Sequence, residues 1–217
     1  MPDQAAFQRI RARIEAACQR VGRDPATVKL VAVTKGHDAN AINQAVLCHG
    51  HRVLGENRVQ EWQEKAEQLS DIEWHFIGNL QRNKVKYCEG FSLIHSLNSQ
   101  RLADELQRQG EKRGHTFHAL VEVNVAGEDS KHGIDPEAAA DLVAYAQTLS
   151  QVRVDGLMTM APYSDEPEAS RPYFAKLRAL RDKLSLGELS MGMSGDFEVA
   201  VEEGATLVRV GSALFQT

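Results

Sequence analysis

Lys29-Leu30-Val31-Ala32-Val33-Thr34-Lys35-Gly36 holds four consecutive apolar residues, then a threonine, a lysine and a glycine. A strand with one face in water alternates polar and apolar residues. This run does not, so it reads as a strand covered on both faces, the signature of a parallel sheet in an α/β fold. Lys35 then stands at the carboxyl end of that strand. Taken alone, the lysine reads more readily as the solvated first residue of a turn.

Outward from this strand the chain alternates. Further strand candidates are 52–54, 73–77, 91–95, 117–125, 152–157, 186–191 and 206–210, which with 29–34 make eight. Helical patterns occupy 39–48, 58–69, 80–88, 99–113, 136–149, 168–184 and 197–202. Some carry boundary signals. Asp135-Pro136-Glu137 reads as cap, first-turn proline and first-turn acid, and Gly110 and Gly114 fall near the end of the fourth helix. Strand, helix, strand repeated in this way implies parallel pairing through right-handed crossovers, and eight strands predict closure into a (β/α)8 TIM-type barrel. An open doubly wound sheet is the alternative, but it leaves two edges to protect. Only Ala213 to Thr217 follow the last strand, so an eighth helix is lacking. Before the first strand, Phe7, Ile10, Ile14, Cys18 and Val21 recur at helical spacing from Asp3 to Val21, closed by Gly22, and this amino-terminal helix is expected to complete the outer ring.

The 217 residues suit a single domain spanning 1–217. With 42% hydrophobic and 25% charged residues the chain is of ordinary globular composition. A balance of 25 Lys+Arg against 30 Asp+Glu, net -5, argues against a nucleic-acid partner. Met1 to Phe7 lacks the order of a signal peptide, and no apolar run has membrane-spanning length, so a cytoplasmic protein is expected. Cys18, Cys48 and Cys88 are too widely spaced for a disulfide framework, and Cys48, His49 and His51 have no second cluster with which to hold a metal.

In such a barrel the working residues sit at the carboxyl ends of the strands, and phosphate is commonly held after strands seven and eight. Strand seven runs into Met191-Gly192-Met193-Ser194-Gly195-Asp196, a glycine-rich turn opening a helix. Strand eight runs into Arg209-Val210-Gly211-Ser212, where Gly211 permits close approach and Ser212 offers a hydroxyl and an amide. Each also reads as an ordinary turn and cap. Arg209 is expected on the inner face, either paired with Glu56 or Glu122 or donating to a ring nitrogen, which its permanent charge would keep unprotonated. Lys35 faces the same space. Apolar surroundings and a nearby arginine would favour its free amine, the form that makes an imine with an aldehyde. A buried lysine, a phosphate cup and a ring-facing arginine describe a pyridoxal 5'-phosphate site.

The runs Leu30 to Lys35, Gly55-Glu56-Asn57, Trp74 to Gly78, Leu80 to Lys84, Gly156-Leu157-Met158, Met191 to Ser194 and Val208 to Ser212 resemble the pyridoxal phosphate homeostasis protein family, also called the YggS or PROSC family. The resemblance covers almost the whole chain in order. It implies an alanine-racemase-like barrel of fold type III with pyridoxal 5'-phosphate as a Schiff base on Lys35. It further implies phosphate contacts from Ser194, Gly211 and Ser212, Arg209 near the pyridine nitrogen, and Asn57 approaching from the end of strand two. Arg58, Thr34 and Gly36 depart from the residues common in the family. Asn79, Gln81, Asn83 and Lys84 form a polar cluster at the mouth, either a solvated helix face or a second site for a B6 vitamer. His37 lies close enough to Lys35 to affect it, and His132, in Lys131-His132-Gly133, reads as a loop residue.

Related racemases add a carboxyl-terminal β domain that supplies a second base. No such domain follows the eighth strand here, and an unprotonated pyridine is a poor electron sink. The expected function is therefore binding, storage and delivery of pyridoxal 5'-phosphate, with no catalytic residue and indirect effects on amino-acid and keto-acid balance. Expected partners are B6 vitamers and apo-enzymes that use the cofactor, and the expected state is a monomer. A slow amino-acid racemase and a cofactor-free lysine-imine aldolase are the alternatives.

Overall fold

The computed structural model describes residues 4–127 and 132–215; the readings that involve Met1 to Asp3, Lys131, Gln216 and Thr217 lie outside them. Eight strands close into a parallel barrel in chain order. They are β1 (Lys29–Val33), β2 (Val53–Glu56), β3 (Glu73–Phe76), β4 (Leu93–Leu97), β5 (Phe117–Glu122), β6 (Val152–Met158), β7 (Glu188–Ser190) and β8 (Leu207–Val210). Closure runs from Lys29 opposite Leu207 to Ala32 opposite Val210. The (β/α)8 reading therefore holds and the open sheet falls, because β1 and β8 satisfy each other's backbone and no edge remains.

The pleat sorts side chains into two layers. Leu30, Ala32, Leu54, Trp74, Phe76, Leu189, Val208 and Val210 face outward into the main core beneath the helices, while Val31, Leu93, Leu120, Met158 and Leu207 fill the barrel interior. Both faces of β1 are covered, which is why the opening run is apolar throughout. Two strands lie further along the chain than expected. β2 extends to Glu56, and β4 starts at Leu93, because Phe91 packs against Trp62 at 4.4 Å in the helical layer.

The outer ring comprises α1 (Gln4–Arg20), α2 (Ala39–Ala45), α3 (Val59–Ala66), α4 (Gln100–Arg113), α5 (Pro136–Gln147), α6 (Arg171–Lys183), α7 (Phe197–Glu202) and α8 (Ser212–Phe215). As expected, α1 joins the ring, beside α7 and α8, but the eighth helix expected to be lacking is present as the short α8, because the helix starts at Ser212, just after β8. Phe7, Ile10, Ile14 and Cys18 are buried, a large aliphatic or aromatic side chain contributing about 1.5–3 kcal/mol. Arg13 and Arg20 add ion pairs of 2.6 Å to Glu198 and Glu202. Val21, expected on the same stripe, is 44% exposed because the helix has ended at Arg20.

The helix expected over 80–88 is a 3-10 helix, Arg82–Tyr87, with Val85 its one buried residue. A single buried apolar position is too little stripe to dock an α-helix. Gly110 does not end α4; it lies inside the helix, where an added Cβ would come within 2.5 Å of the Gln151 Cβ. Asp135 takes the cap position of α5 without a side-chain capping bond. Among the described residues no helix is long and apolar enough to cross a membrane.

Candidate functional site

The turn after β1 is held from below and from the side. Thr34 is buried; its hydroxyl donates to Glu56 Oε1 at 2.5 Å, and its carbonyl accepts from Lys65 Nζ at 2.8 Å. Lys65 Nζ also donates to Glu56 Oε1 at 2.5 Å, closing a buried ion pair. Gly36, at φ 75, turns the chain outward and donates its N–H to Glu61 Oε2 at 3.1 Å. Lys35 rides on this turn and is exposed. The apolar burial expected around its amine is absent, because the strand ends at Val33 and Lys35 projects beyond the last layer of the core. Glu56, one expected partner of Arg209, faces the helices instead, since period-two alternation from Gly55 directs it outward.

The turns after β1, β7 and β8 converge. His37 stacks on Phe215 of α8 with ring centroids 3.9 Å apart, and burial pushes its imidazole pKa down. Ser194 Oγ accepts from the N–H groups of Gly211 at 3.4 Å and Ala213 at 3.5 Å. Gly211 lies so close to β1 that an added Cβ would stand 3.1 Å from the Val33 Cβ. Gly192, at φ 90, needs to be glycine because a Cβ would lie 2.5 Å from the Ala200 Cβ. Asp196 braces the same turn, accepting from Met193 N–H at 2.7 Å and from Ser170 Oγ at 2.9 Å. Ser194 is half-buried and Ser212 exposed, so hydroxyls and backbone N–H groups meet at the rim. Such a cluster suits an anion.

Arg209 is 5% exposed and lies deeper, opposite Val31. It pairs with neither carboxylate suggested by the sequence. Nη1 donates to Ser190 Oγ at 2.5 Å and Nη2 to the Thr159 carbonyl at 2.9 Å. Burial pulls its pKa down to about 10, against the opposing pull of Asp196 and Glu122, so it stays charged at neutral pH. Two of its five N–H groups are thus engaged among the described residues.

Asn57 follows β2 as expected, with Oδ1 buried and without a partner among the described residues. Gly78 brings the next loop against it, since a Cβ there would stand 2.2 Å from the Asn57 carbonyl. The sequence reading missed Ser96 and gave Glu122 no role beyond Arg209. Ser96 Oγ and Glu122 Oε2 are also buried without partners among the described residues. Burial raises the Glu122 pKa, opposed by the charges of His132 and Arg209. The only signal available for either was its place near a strand end. Lys84 lies half-buried in the 3-10 helix after β3, with Asn79, Gln81 and Asn83 exposed around it.

Barrel and mouth together define a class. Residues 6–217 match the family model described as alanine racemase, N-terminal domain. An alanine racemase of Clostridium difficile shares the fold at TM-score 0.70 and 13% identity, over 94% of this chain and 55% of that one. Closer likenesses are more specific. The pyridoxal phosphate homeostasis protein of Aquifex aeolicus is 50% identical, over 96% of this chain and 95% of its own length. That of Deinococcus radiodurans is 45% identical, over 94% and 96%. The chain belongs to the pyridoxal phosphate homeostasis protein family. Among solved structures it resembles Synechococcus elongatus PipY with PLP bound, at 36% identity and TM-score 0.81, over 94% of this chain and 99% of PipY.

Proposed function

We propose that residues 1–217 act as one domain that binds pyridoxal 5'-phosphate, stores it and hands it to enzymes that need it, without a catalytic role of its own. Lys35 holds the cofactor as a Schiff base. Ser194, Gly211 and Ser212 receive the phosphate, Arg209 faces the pyridine nitrogen, and Asn57 lines the ring from β2. When bound, the cofactor supplies an aldehyde that a primary amine can capture and release. The protein works as a monomer in the cytoplasm, and its partners are B6 vitamers and apo-enzymes.

The reading rests on one observation above the others: the Ser194 hydroxyl draws the Gly211 and Ala213 N–H groups together beside the turn that carries Lys35. The residues present fit the group. An exposed primary amine, a rim of hydroxyls and N–H groups, and a buried cation with donors to spare match an aldehyde, a phosphate and a ring nitrogen. The names of the relatives and of PLP-bound PipY point the same way. Titrating the protein with pyridoxal 5'-phosphate is expected to produce a visible imine absorbance that is absent in Lys35→Ala. Equal absorbance in the variant overturns the assignment.

Glu122 favours a second reading, slow racemisation, because Oε2 of its buried carboxyl lacks a partner among the described residues and burial raises its pKa. A stereochemical assay on D- and L-amino acids decides. Lys35-dependent turnover at ordinary enzyme rates removes the carrier reading.

A further inference from the structure

The barrel interior contains a line of polar groups that the cofactor site does not account for. His75 on β3, His95 on β4 and Ser190 on β7 are each at most 1% exposed. Glu73 Oε1 lies 2.9 Å from His75 Nε2, His75 Nδ1 lies 2.9 Å from His95 Nε2, and His95 Nδ1 lies 2.8 Å from Ser190 Oγ. Ser190 Oγ in turn accepts from Arg209. Four strands thus carry an unbroken chain from the mouth to the amino-terminal end of the barrel. There Glu73 also accepts from Lys29 Nζ at 2.8 Å, beside a cavity of about 530 Å³ lined by Lys29, Glu73, His75, Arg153, Asp155 and Glu188. Buried polar groups are tolerable in a core only when every one is satisfied, and here each is.

The chemistry of its ends gives the chain a direction. Hydrogen bonds to His75 and Lys29 hold the Glu73 pKa down to about 2, so Glu73 is an ionised acceptor and His75 carries hydrogen on Nε2. Burial, and then the charges of His75 and Arg209, keep the His95 pKa well below the usual histidine range, so that ring is neutral. With the ring hydrogen of His75 on Nε2, toward Glu73, its Nδ1 accepts, His95 donates from Nε2, and His95 Nδ1 accepts the Ser190 hydroxyl hydrogen. Ser190 meanwhile accepts from Arg209, which can only donate.

We propose that Ser190, His95 and His75 are positioning residues. They form a one-way hydrogen-bond chain that fixes the Arg209 guanidinium at the mouth and ties it to the Glu73 carboxylate at the far end of the barrel. The role toward the cofactor rests on the reading of Arg209 given above; the chain itself does not. One consequence is a link between the ends. A proton added at His75 Nδ1 forces His95 to accept at Nε2 and donate from Nδ1, and Ser190 then receives from both neighbours. The charged groups facing the chain are Lys29 and Glu73 at His75, Arg209 at His95, and Glu122 and Asp196 around Arg209.

Imidazole nitrogen NMR on full-length protein without cofactor tests the chain. At pH above 7 both rings are expected to carry hydrogen on Nε2 and to accept at Nδ1. Hydrogen on Nδ1 of either ring at that pH overturns the proposal. For the role toward Arg209, Ser190→Ala is expected to move the resonances of both histidines and to weaken pyridoxal 5'-phosphate binding about tenfold, the loss of one charge-assisted hydrogen bond. Ser190→Thr, which keeps the hydroxyl, should restore both. Affinity of Ser190→Ala within about twofold of the parent protein, at the precision of such comparisons, overturns the positioning role. Absence of imine absorbance in the unaltered protein would remove the cofactor reading and leave the NMR result to decide the chain.

Discussion

The two ends of the barrel treat polar groups in opposite ways. At the amino-terminal end they are paired. Lys29 and His75 share Glu73, His118 Nδ1 lies 2.7 Å from Asp155 Oδ2, and Thr206 Oγ1 donates to Glu188 at 2.5 Å. At the carboxyl-terminal mouth Asn57 Oδ1, Ser96 Oγ and Glu122 Oε2 are buried without partners among the described residues. Lys35 stands exposed there, while Lys65, just beneath its turn, is buried and paired. The contrast teaches a division of labour. One end and the layer under the mouth secure the fold, and the rim keeps hydrogen-bonding capacity for a ligand.

The largest expected effect tests the layer under the mouth. Lys65→Met leaves the Glu56 carboxylate buried without its cation and should cost about 3–5 kcal/mol in denaturant unfolding. A loss well under that would mean that Lys65 is as dispensable as a rim residue. Gly192→Ala is expected to cost about 2–3 kcal/mol, from φ 90 and from the clash of its Cβ with Ala200 and Phe197, and to weaken pyridoxal 5'-phosphate binding with it. Full affinity in that variant would show that the β7 turn does not shape the rim.

The smallest effect is at the opposite end. The pKa of Glu73 is lowered to about 2, so the stability it contributes is complete above an unfolded value of about 4.3 and is lost as pH falls from there toward 2. With Glu73 37% exposed, water screens much of this, and about 1 kcal/mol at neutral pH is expected. Unfolding midpoints recorded from pH 7 to pH 2 should fall less steeply in Glu73→Gln. Identical slopes would show that this end is not held by its ion pairs.

Much of this was legible in the sequence because it is local. The uninterrupted apolar run of β1, the alternation of strands and helices, and the glycine-rich turns after β7 and β8 are each written in a few neighbouring residues. Contacts across the barrel are not. His75, His95, Ser190 and Arg209 lie on four different strands, and no spacing within any one strand announces that they touch. Lys65 sits on a helix and reads as one more charged residue, yet it holds the turn that carries Lys35. The solvated-turn reading of Lys35 is right about its exposure and gives way to a buried amine for a related reason. An apolar run says how the strand is buried but not where the core's last layer stops.

The central claim is that Lys35 is the amine that holds the cofactor. Borohydride reduction of the protein loaded with pyridoxal 5'-phosphate, followed by peptide mass spectrometry, tests it most directly. A phosphopyridoxyl group on Lys35, with none retained at that level by Lys35→Ala, is the predicted result. The same group on Lys65 or Lys84, or on no lysine at all, would contradict it.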